Sequence, residues 1–334
     1  MFQFESAGDE ASPAAVLAAI VYADLFDYPL TVEELTRYQI GSRLSTGQIA
    51  GMLATDPRLD GNLAHEGGYY SLAGRRSLAR TRLERERRSA KLWRRAAIYC
   101  CWISRLPYVR MVAVTGALAV NNVGKLPDID LLVVAREGRV WMCRRALIMC
   151  VRVARLFGDD LCPNYIISDR SLDLDQRDFF TAHELAQMVP LYGPGVYRRM
   201  IERNPWAWRY LPCAFDGATP RQPASPAPLR SEGVRYAHSP LTVGPVRPAA
   251  EKMLGHPVFD RWEAWELRRM RAKLHPLLGD DAEVVCSPSQ CKGHTGLNRQ
   301  KVMLRFRTRM REVGLLDAAP RVVLDDFSLL PDDR

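Results

Sequence analysis

The stretch that decides the fold is MVAVTGALAVNNVGKLPDIDLLVVA, which spans residues 111–135. It contains two apolar runs, one ending at Val114 and one ending at Ala135, and each run predicts a buried β-strand. The segment between them begins at Gly116 and predicts a short helix, with a glycine that lets the backbone of the turn approach a neighbouring group closely. These residues therefore predict a strand–turn–helix–strand unit.

Two carboxylates open the second strand of this unit. In an extended strand, Asp128 and Asp130 point to one face while Ile129 turns into the core. Carboxylates a few ångströms apart repel each other unless a cation lies between them. Oxygen ligands of this kind suit Mg²⁺ (or Mn²⁺), which keeps coordination positions open for substrate phosphates. We therefore expect Asp128 and Asp130 to bind a metal ion, with Thr115 and Gly116 holding phosphate at the start of the helix.

At these residues the sequence resembles the DNA polymerase beta-like nucleotidyltransferase superfamily. That family has a strand, a Gly followed by Gly or Ser, a spacer, and then an Asp-apolar-Asp pair. Gly116 matches the glycine, and Asp128 and Asp130 match the metal-binding pair. Ala117 is the third phosphate-binding position but stands where the family has Gly or Ser. One hydroxyl contact with phosphate is therefore missing, and Thr115 is its candidate substitute.

The resemblance implies an enzymatic activity. A nucleoside triphosphate such as ATP would be the donor, and two Mg²⁺ ions would support in-line transfer of a nucleoside monophosphate to a hydroxyl, with release of pyrophosphate. The acceptor stays open between a small molecule, a nucleic-acid end and a protein side chain. The sequence contains neither the P-loop motif G-x-x-x-x-G-K-[ST] nor the zinc-binding motif H-E-x-x-H.

The family also has a third carboxylate on a neighbouring strand, where it helps the metal to activate the acceptor hydroxyl. The predicted third strand, residues 161–168, contains no acidic residue. Asp160 precedes it in phase with Asn164 and is the candidate third catalytic carboxylate, and Asp159 is the alternative if the register slips by one residue. Both are also consistent with an ordinary loop, in which case the domain binds nucleotide without efficient catalysis.

The positive charge of the chain is concentrated in one segment. The 334 residues carry 47 Lys plus Arg and 38 Asp plus Glu, a net charge of +9, and ten basic against two acidic residues fall between Arg75 and Arg95. We predict a basic connecting helix over residues 75–106. Two interpretations remain open: a solvated helix, or an electropositive wall facing an anionic substrate, with nucleic acid as a possible partner.

Residues 12–74 predict three short helices and a hairpin, a layout that resembles a winged helix. Thr31 and Glu34 have the spacing of a capping box at the second helix, and paired glycines suit the hairpin turn. Many winged helices bind duplex DNA through the third helix. The third helix here, from Gly47 to Ala54, carries no Lys or Arg, and backbone contacts with DNA normally need cations. A module that contacts protein is therefore the alternative.

The pattern of the remaining residues predicts the fold class and the division of the chain into regions. We expect an α+β fold with a nucleotidyltransferase-type mixed sheet flanked by helices, the transferase domain at 107–215, a Pro-rich linker or loop at 216–250 and a helical region at 251–334. His183 and Glu184 are candidates for contact with the base or the acceptor, with local packing as the alternative.

Two clusters near the C-terminus have more than one interpretation. Cys286, Cys291 and His294 have the spacing of half a zinc site, against the alternative of a loop with reduced cysteines. A second basic patch, which includes Lys292 and Lys301, is a candidate for contact with the triphosphate.

The overall composition narrows the class of protein. A chain that is 47% hydrophobic and 25% charged is not expected to be mostly disordered. Eight cysteines without small-scaffold spacing favour a reducing compartment. The absence of a long apolar run predicts no membrane partner, and we expect a cytoplasmic protein. The sequence favours a Mg²⁺-dependent nucleotidyltransferase; the alternative is a winged-helix DNA-binding regulator with a catalytically weak nucleotide-sensing domain.

Overall fold

The structure, a computed structural model, describes residues 13–215, 246–274, 284–293 and 298–331. A mixed β-sheet lies at its centre, and helices cover both faces of that sheet. The predicted α+β fold with a mixed sheet flanked by helices is confirmed at this level.

The strands in the described residues are β1 (Leu63–Glu66), β2 (Tyr69–Leu72), β3 (Val109–Val114), β4 (Asp128–Ala135), β5 (Asp160–Ser168), β6 (Val189–Tyr192), β7 (Val285–Cys286) and β8 (Gln290–Lys292). The helices are α1 (Pro13–Asp24), α2 (Val32–Tyr38), α3 (Thr46–Thr55), α4 (Leu78–Ser104), α5 (Gly116–Ala119), α6 (Val140–Leu156), α7 (Phe179–Gln187), α8 (Pro194–Arg203), α9 (Ala207–Tyr210), α10 (Val246–Met253), α11 (Val258–Leu274), α12 (Asn298–Glu312) and α13 (Arg321–Phe327).

The large sheet has the strand order β6-β3-β4-β5-β8-β7. Strand β4 runs antiparallel to β3 and parallel to β5, and the other neighbours are antiparallel. The parallel register pairs Asp128 with Asp160 and Asp130 with Cys162. The first residues of β4 and β5 therefore lie side by side, close to the turn that follows β3.

Alternating residues of β3 and β4 divide the core into two layers. Met111 and Leu132 pack with helices that include α1, α7 and α12. Val112 and Val133 face the opposite way and pack with α4 and α6. Asp130 is two residues from Leu132 and shares its side of the strand, so the acidic side of β4 faces the layer that contains α7.

The predicted order of three helices and a hairpin is present at the N-terminus as α1 to α3 and β1 to β2. The predicted capping box is confirmed, since the Thr31 hydroxyl accepts a hydrogen bond from the Glu34 amide and the Glu34 carboxylate accepts one from the Thr31 amide. Every residue of α1 is buried. The ring of Tyr22 packs edge-on against Phe179 and Phe306 from helices α7 and α12, so the N-terminal helices share one core with later parts of the chain.

Helix α4 follows the predicted basic segment and buries one of its arginines. Leu83 is 46% exposed, whereas Arg82 is only 3% exposed. The burial of Arg82 is possible because its guanidinium lies 2.9 Å from the Glu34 carboxylate and 2.7 Å from that of Glu86. The same guanidinium stacks over the ring of Tyr28 at 3.8 Å.

Short strands occur in two otherwise helical parts of the chain. Between α7 and α8 the chain forms β6, which pairs with β3. The C-terminal region was expected to be helical, but it contributes β7 and β8, and β8 pairs with β5. Strands of two to four residues are too short to show the alternation that identifies a strand in a sequence.

The Pro-rich segment predicted at 216–250 lies mostly outside the described residues. Its last five residues belong to α10, which begins at Val246, so they are helix rather than linker. Among the described residues, no helix is both long enough and apolar enough to cross a membrane.

Candidate functional site

The turn after β3 places a glycine directly against a carboxylate. Gly116 has a φ of +63°, a backbone conformation that L side chains rarely adopt. A Cβ at this position would overlap the carboxylate of Asp130. The amide of Thr115 donates a 3.0 Å hydrogen bond to the Asp130 carbonyl oxygen, which fixes the turn to the start of β4. Only glycine therefore fits here without displacing Asp130.

Asp128 and Asp130 lie on either side of the buried Ile129, as the sequence predicts. Asp128 is exposed and Asp130 is half-buried. Burial raises the pKa of Asp130 to about 7, the charge of Asp128 adds to the rise, and a hydrogen bond from Asn164 opposes it. Asp130 is therefore a carboxyl group that ionises near neutral pH and whose ionised form is repelled by its neighbour.

The third strand brings an amide, not a carboxylate, to Asp130. The Asn164 side chain donates a hydrogen bond to the Asp130 carboxylate and accepts one from the Cys162 thiol at 2.7 Å. The β4–β5 register shifts between Leu131 and Leu132, and Asn164 is the residue left without a partner. Such a bulge re-aims the side chain of the extra residue. The sequence pattern placed Asn164 on the same face of the strand as Asp160 but gave it no functional role.

The two candidate third carboxylates have separate environments. Asp160 lies beside Asp128 in the parallel register and also contributes to the raised pKa of Asp130. Its exposed side chain forms an ion pair of 3.2 Å with Arg155. Asp159 is buried, pairs with Arg95 at 2.7 Å and accepts a hydrogen bond from the Tyr99 hydroxyl. Asp159 is thus held by α4, and Asp160 is the one that lies with the acidic pair.

Glu184 on α7 is a further acidic group of the site. Burial raises the pKa of Glu184 to about 6, and the positive charge of Lys292 opposes that rise. Glu184 also contributes to the raised pKa of Asp130, which indicates that the two carboxyl groups are electrostatic neighbours. The sequence singled out Glu184 together with His183, but only the three-dimensional structure shows that Glu184 lines the same cavity as Asp130.

His183 is mainly a core residue. It is 3% exposed, and its ring lies 4.3 Å from that of Tyr22 and 4.4 Å from that of Phe179. Burial lowers the pKa of His183 to about 3, so the imidazole is neutral. Nδ1 faces the Phe179 carbonyl oxygen at 3.3 Å. The alternative of local packing is therefore the better description of this histidine.

Two cavities meet at the turn. The smaller, of about 370 Å³, is lined by residues that include Thr115, Asp130, Asn164 and Lys292; it is called the acidic cavity below. Lys292 comes from β8, and its ammonium group donates a 2.6 Å hydrogen bond to the Gln176 side chain. The acidic cavity therefore combines the carboxylate site with a cation from the C-terminal hairpin.

The larger cavity, of about 710 Å³, lies between α1, α7 and α12 and is called the aromatic cavity below. Its walls include Tyr22, Phe26 and Phe180, and Lys301 lies in its lining. Gly116, Phe180 and Glu184 line both cavities. A molecule in one cavity would therefore touch residues that also face the other.

The arginines of α4 do not line either cavity. Arg85 instead donates a 2.8 Å hydrogen bond to the Phe26 carbonyl oxygen and pairs with the Asp27 carboxylate at 3.3 Å. Arg88 pairs with Glu84 one helical turn away. These contacts therefore do not favour the interpretation of α4 as an electropositive wall facing an anionic substrate.

The donor set of the site fits Mg²⁺ more closely than a metal held by a full protein cage. In the described part of the chain, no group of three or more His, Cys, Asp or Glu side chains is arranged to hold a metal ion. Mg²⁺ usually keeps several waters and takes one or two carboxylates plus substrate phosphates. Asp128 and Asp130 supply such a pair, and a cation between them would relieve the repulsion that raises the pKa of Asp130. The predicted zinc ligand His294 lies outside the described residues.

No protein-family model, curated protein or solved structure matches this chain.

Proposed function

We propose that the chain is a Mg²⁺-dependent nucleotidyltransferase that moves a nucleoside monophosphate from a nucleoside triphosphate such as ATP to a hydroxyl group. The observation that carries the proposal is the fit between Gly116 and Asp130: the one residue type without a Cβ stands where a Cβ would displace the carboxylate. The strand–turn–helix–strand order and the Asp128–Asp130 pair support it too.

Each residue of the acidic cavity has a role in this proposal. Asp128 and Asp130 would hold Mg²⁺, which would supply positive charge next to the phosphate oxygens. The backbone N–H groups of Gly116 and Ala117 contact phosphate, and the Thr115 hydroxyl, which makes no capping bond, supplies the contact that Ala117 lacks. Helix α5 has only four residues, so local N–H groups act here rather than a helix dipole.

Glu184 takes the place of the third carboxylate in this proposal. Asn164, beside Asp130, is neutral and cannot accept a proton. Asp160 is paired with Arg155 and lines neither cavity. Glu184 faces both cavities and has a pKa raised to about 6, which leaves most of it ionised at pH 7. A general base with a pKa near the working pH is well suited to accept the proton of the attacking hydroxyl.

The test is transfer of label from each of four α-³²P nucleoside triphosphates in the presence of Mg²⁺ and a small-molecule extract that supplies acceptors. We expect pyrophosphate and a labelled product, and we expect Asp128→Asn and Asp130→Asn to abolish both. Asp317→Asn is the matched control, because Asp317 is exposed and lies in neither cavity. Transfer that persists in the two site variants would refute the proposal.

One observation favours the alternative of a DNA-binding regulator with a weakly catalytic nucleotide-sensing domain. The strand beside Asp130 presents Asn164 where a third acid would help catalysis. Helix α3 argues against the DNA-binding part, because its exposed face carries no Lys or Arg. A salt-dependent mobility shift of duplex DNA, combined with nucleotide binding and no transfer, would favour this alternative.

A further inference from the structure

The aromatic cavity has the size and lining of a small-molecule site. Its volume of about 710 Å³ is within the usual range of ligand pockets, roughly 300–1,000 Å³. Tyr22, Phe26 and Phe180 contribute aromatic rings to the wall. Flat aromatic surfaces favour a ligand whose body is itself flat and apolar.

Buried residues of this cavity contain neutral polar groups. Tyr38 is 3% exposed, and within the described residues its hydroxyl has no hydrogen-bond partner. A buried polar group left unpaired destabilises the folded state, and a ligand oxygen that accepts a hydrogen bond from this hydroxyl would remove that cost. His183 is also buried here; since its Nδ1 faces a carbonyl oxygen and the ring is neutral, Nδ1 donates and Nε2 is left as an acceptor.

Two cations lie at the exposed side of the cavity. Lys301 and Arg305 are exposed, line the cavity and are one turn apart on α12. Like charges at this spacing repel each other. Neither residue forms an ion pair within the described part of the chain; Arg305 donates a 3.2 Å hydrogen bond to the Leu25 carbonyl oxygen. A carboxylate or phosphate on a ligand would neutralise this pair.

The inner side of the cavity reaches the residues assigned to catalysis. Gly116 and Glu184 line it together with the acidic cavity. A hydroxyl on a ligand in the aromatic cavity would therefore lie next to the phosphate-binding turn and to the group that accepts the proton.

We propose that the aromatic cavity binds the acceptor, and that the acceptor is a small organic anion with a flat apolar body and a hydroxyl group. This inference rests on the proposed function. The acceptor oxygen forms a bond to the α-phosphorus of the triphosphate, the bond from that phosphorus to the pyrophosphate oxygen breaks, and the hydroxyl proton passes to Glu184. The aromatic lining and the volume of about 710 Å³ favour this class over a nucleic-acid end or a protein side chain.

Two fluorescent probes test the binding site without any transfer reaction. 8-Anilino-1-naphthalenesulfonate is an apolar aromatic anion, and N-phenyl-1-naphthylamine has the same ring system without the sulfonate. We expect the anion to bind with one-to-one stoichiometry and at least about tenfold more tightly than the neutral probe, equivalent to about 1.4 kcal/mol. The double variant Lys301→Glu, Arg305→Gln should abolish that preference.

Three controls make the result specific. Lys91→Glu changes the charge at an exposed site outside both cavities and should leave probe affinity unchanged. Tyr38→Phe removes only the unpartnered hydroxyl, so the variant should remain folded. It should nevertheless bind a hydroxylated aromatic carboxylate such as 4-hydroxybenzoate, measured by displacement of the anionic probe, more weakly than the wild type does. Asp317→Asn, at an exposed position outside both cavities, should bind the anionic probe as the wild type does.

A competition experiment distinguishes an acceptor site from a nucleotide site. The competitor is a Mg²⁺-bound α,β-methylene triphosphate, which cannot transfer its nucleotide. We expect the probe to stay bound, because the acceptor and the triphosphate occupy different cavities. Displacement of the probe would assign the aromatic cavity to the nucleotide and overturn the inference, as would equal binding of both probes. Failure of the transfer assay with normal probe binding would instead contradict the proposed function.

Discussion

Asp130 is the residue on which the site depends. It is half-buried and lies beside a second carboxylate. Its own carboxylate fits because Gly116 has no side chain. A buried charge next to a like charge destabilises the folded state. Such an arrangement is expected where function rather than stability selects the residue.

Asp130→Asn should therefore stabilise the protein above neutral pH. The folded pKa of about 7 exceeds the ordinary Asp value near 4, so the folded state keeps a proton that the unfolded chain releases between those values. Stability thus falls as pH rises from 4 to 7, and the loss is complete above 7. We expect the variant to gain about 2 kcal/mol in free energy of unfolding at pH 8 and almost nothing at pH 4.5.

Urea denaturation at the two pH values measures this difference, with Asp317→Asn as the control. A variant that is no more stable than the wild type at pH 8 would contradict the burial of an ionised Asp130.

Glu184→Gln should lower the rate of transfer by about a hundredfold, because a positioned general base contributes roughly that much or more. The wild-type rate should rise with pH around the pKa of about 6 given to Glu184 by burial, and the variant should lack that rise. Affinity for the triphosphate should change little. A pH profile of single-turnover transfer separates this role from a structural one, since a residue needed only for packing would leave the profile unchanged.

Sequence reasoning reached some of these residues and not others. Asp128, Asp130 and Gly116 are close together in the chain, so alternation along one strand and one turn suffices to group them. Asn164 contacts Asp130 through a bulge in β5, and Glu184 on α7 lines the same cavity as Asp130. Neither arrangement follows from local pattern, because both depend on how elements distant in sequence come together.

At the scale of elements, α4 is held to the N-terminal helices by a buried cation. Burial alone would raise the pKa of Glu34, but the charge and hydrogen bonds of Arg82 outweigh it and lower that pKa. Arg82 also donates a 3.0 Å hydrogen bond to the Pro29 carbonyl oxygen. A charge that remains buried after loss of its partner is strongly destabilising.

Arg82→Met should reduce the free energy of unfolding at pH 7 by about 3 kcal/mol, because Glu34 would lose its partner. Glu34 has a lowered folded pKa, so the stability it contributes is present above its unfolded pKa and is lost as pH falls. The difference between variant and wild type should therefore shrink towards pH 4. Arg80→Met, at an exposed position of the same helix, is the matched control. Equal losses from the two substitutions would contradict this account.

Long elements with clear periodicity were predicted well, whereas the short strands β6, β7 and β8 were not. The helix α6 and the strands β3 to β5 have runs of apolar residues that define them. The hairpin β7–β8 has two and three residues and no such run, yet it completes the sheet beside β5 and brings Lys292 to the acidic cavity. The sequence identified Lys292 as a candidate for the triphosphate, but not the strand that carries it.

At the scale of the whole molecule, the basic segment that carries most of the net charge of +9 has a structural role. Arg75, Arg82, Arg85 and Arg95 of the basic segment all form ion pairs with carboxylates from other elements. These contacts join α4 to the N-terminal helices and to the start of β5. The cations that do line the cavities, such as Lys292 and Lys301, come from the C-terminal part of the chain.

The central claim is that Asp128 and Asp130 together hold a divalent ion against a triphosphate. Isothermal titration calorimetry with the tightest-binding α,β-methylene triphosphate, with and without Mg²⁺ (or Mn²⁺), measures this directly and needs no acceptor. We predict that Mg²⁺ tightens binding to the wild type at least about tenfold, which is about 1.4 kcal/mol, and does not tighten binding to Asp128→Asn or Asp130→Asn. Equal Mg²⁺-dependent tightening in wild type and variants would contradict the account.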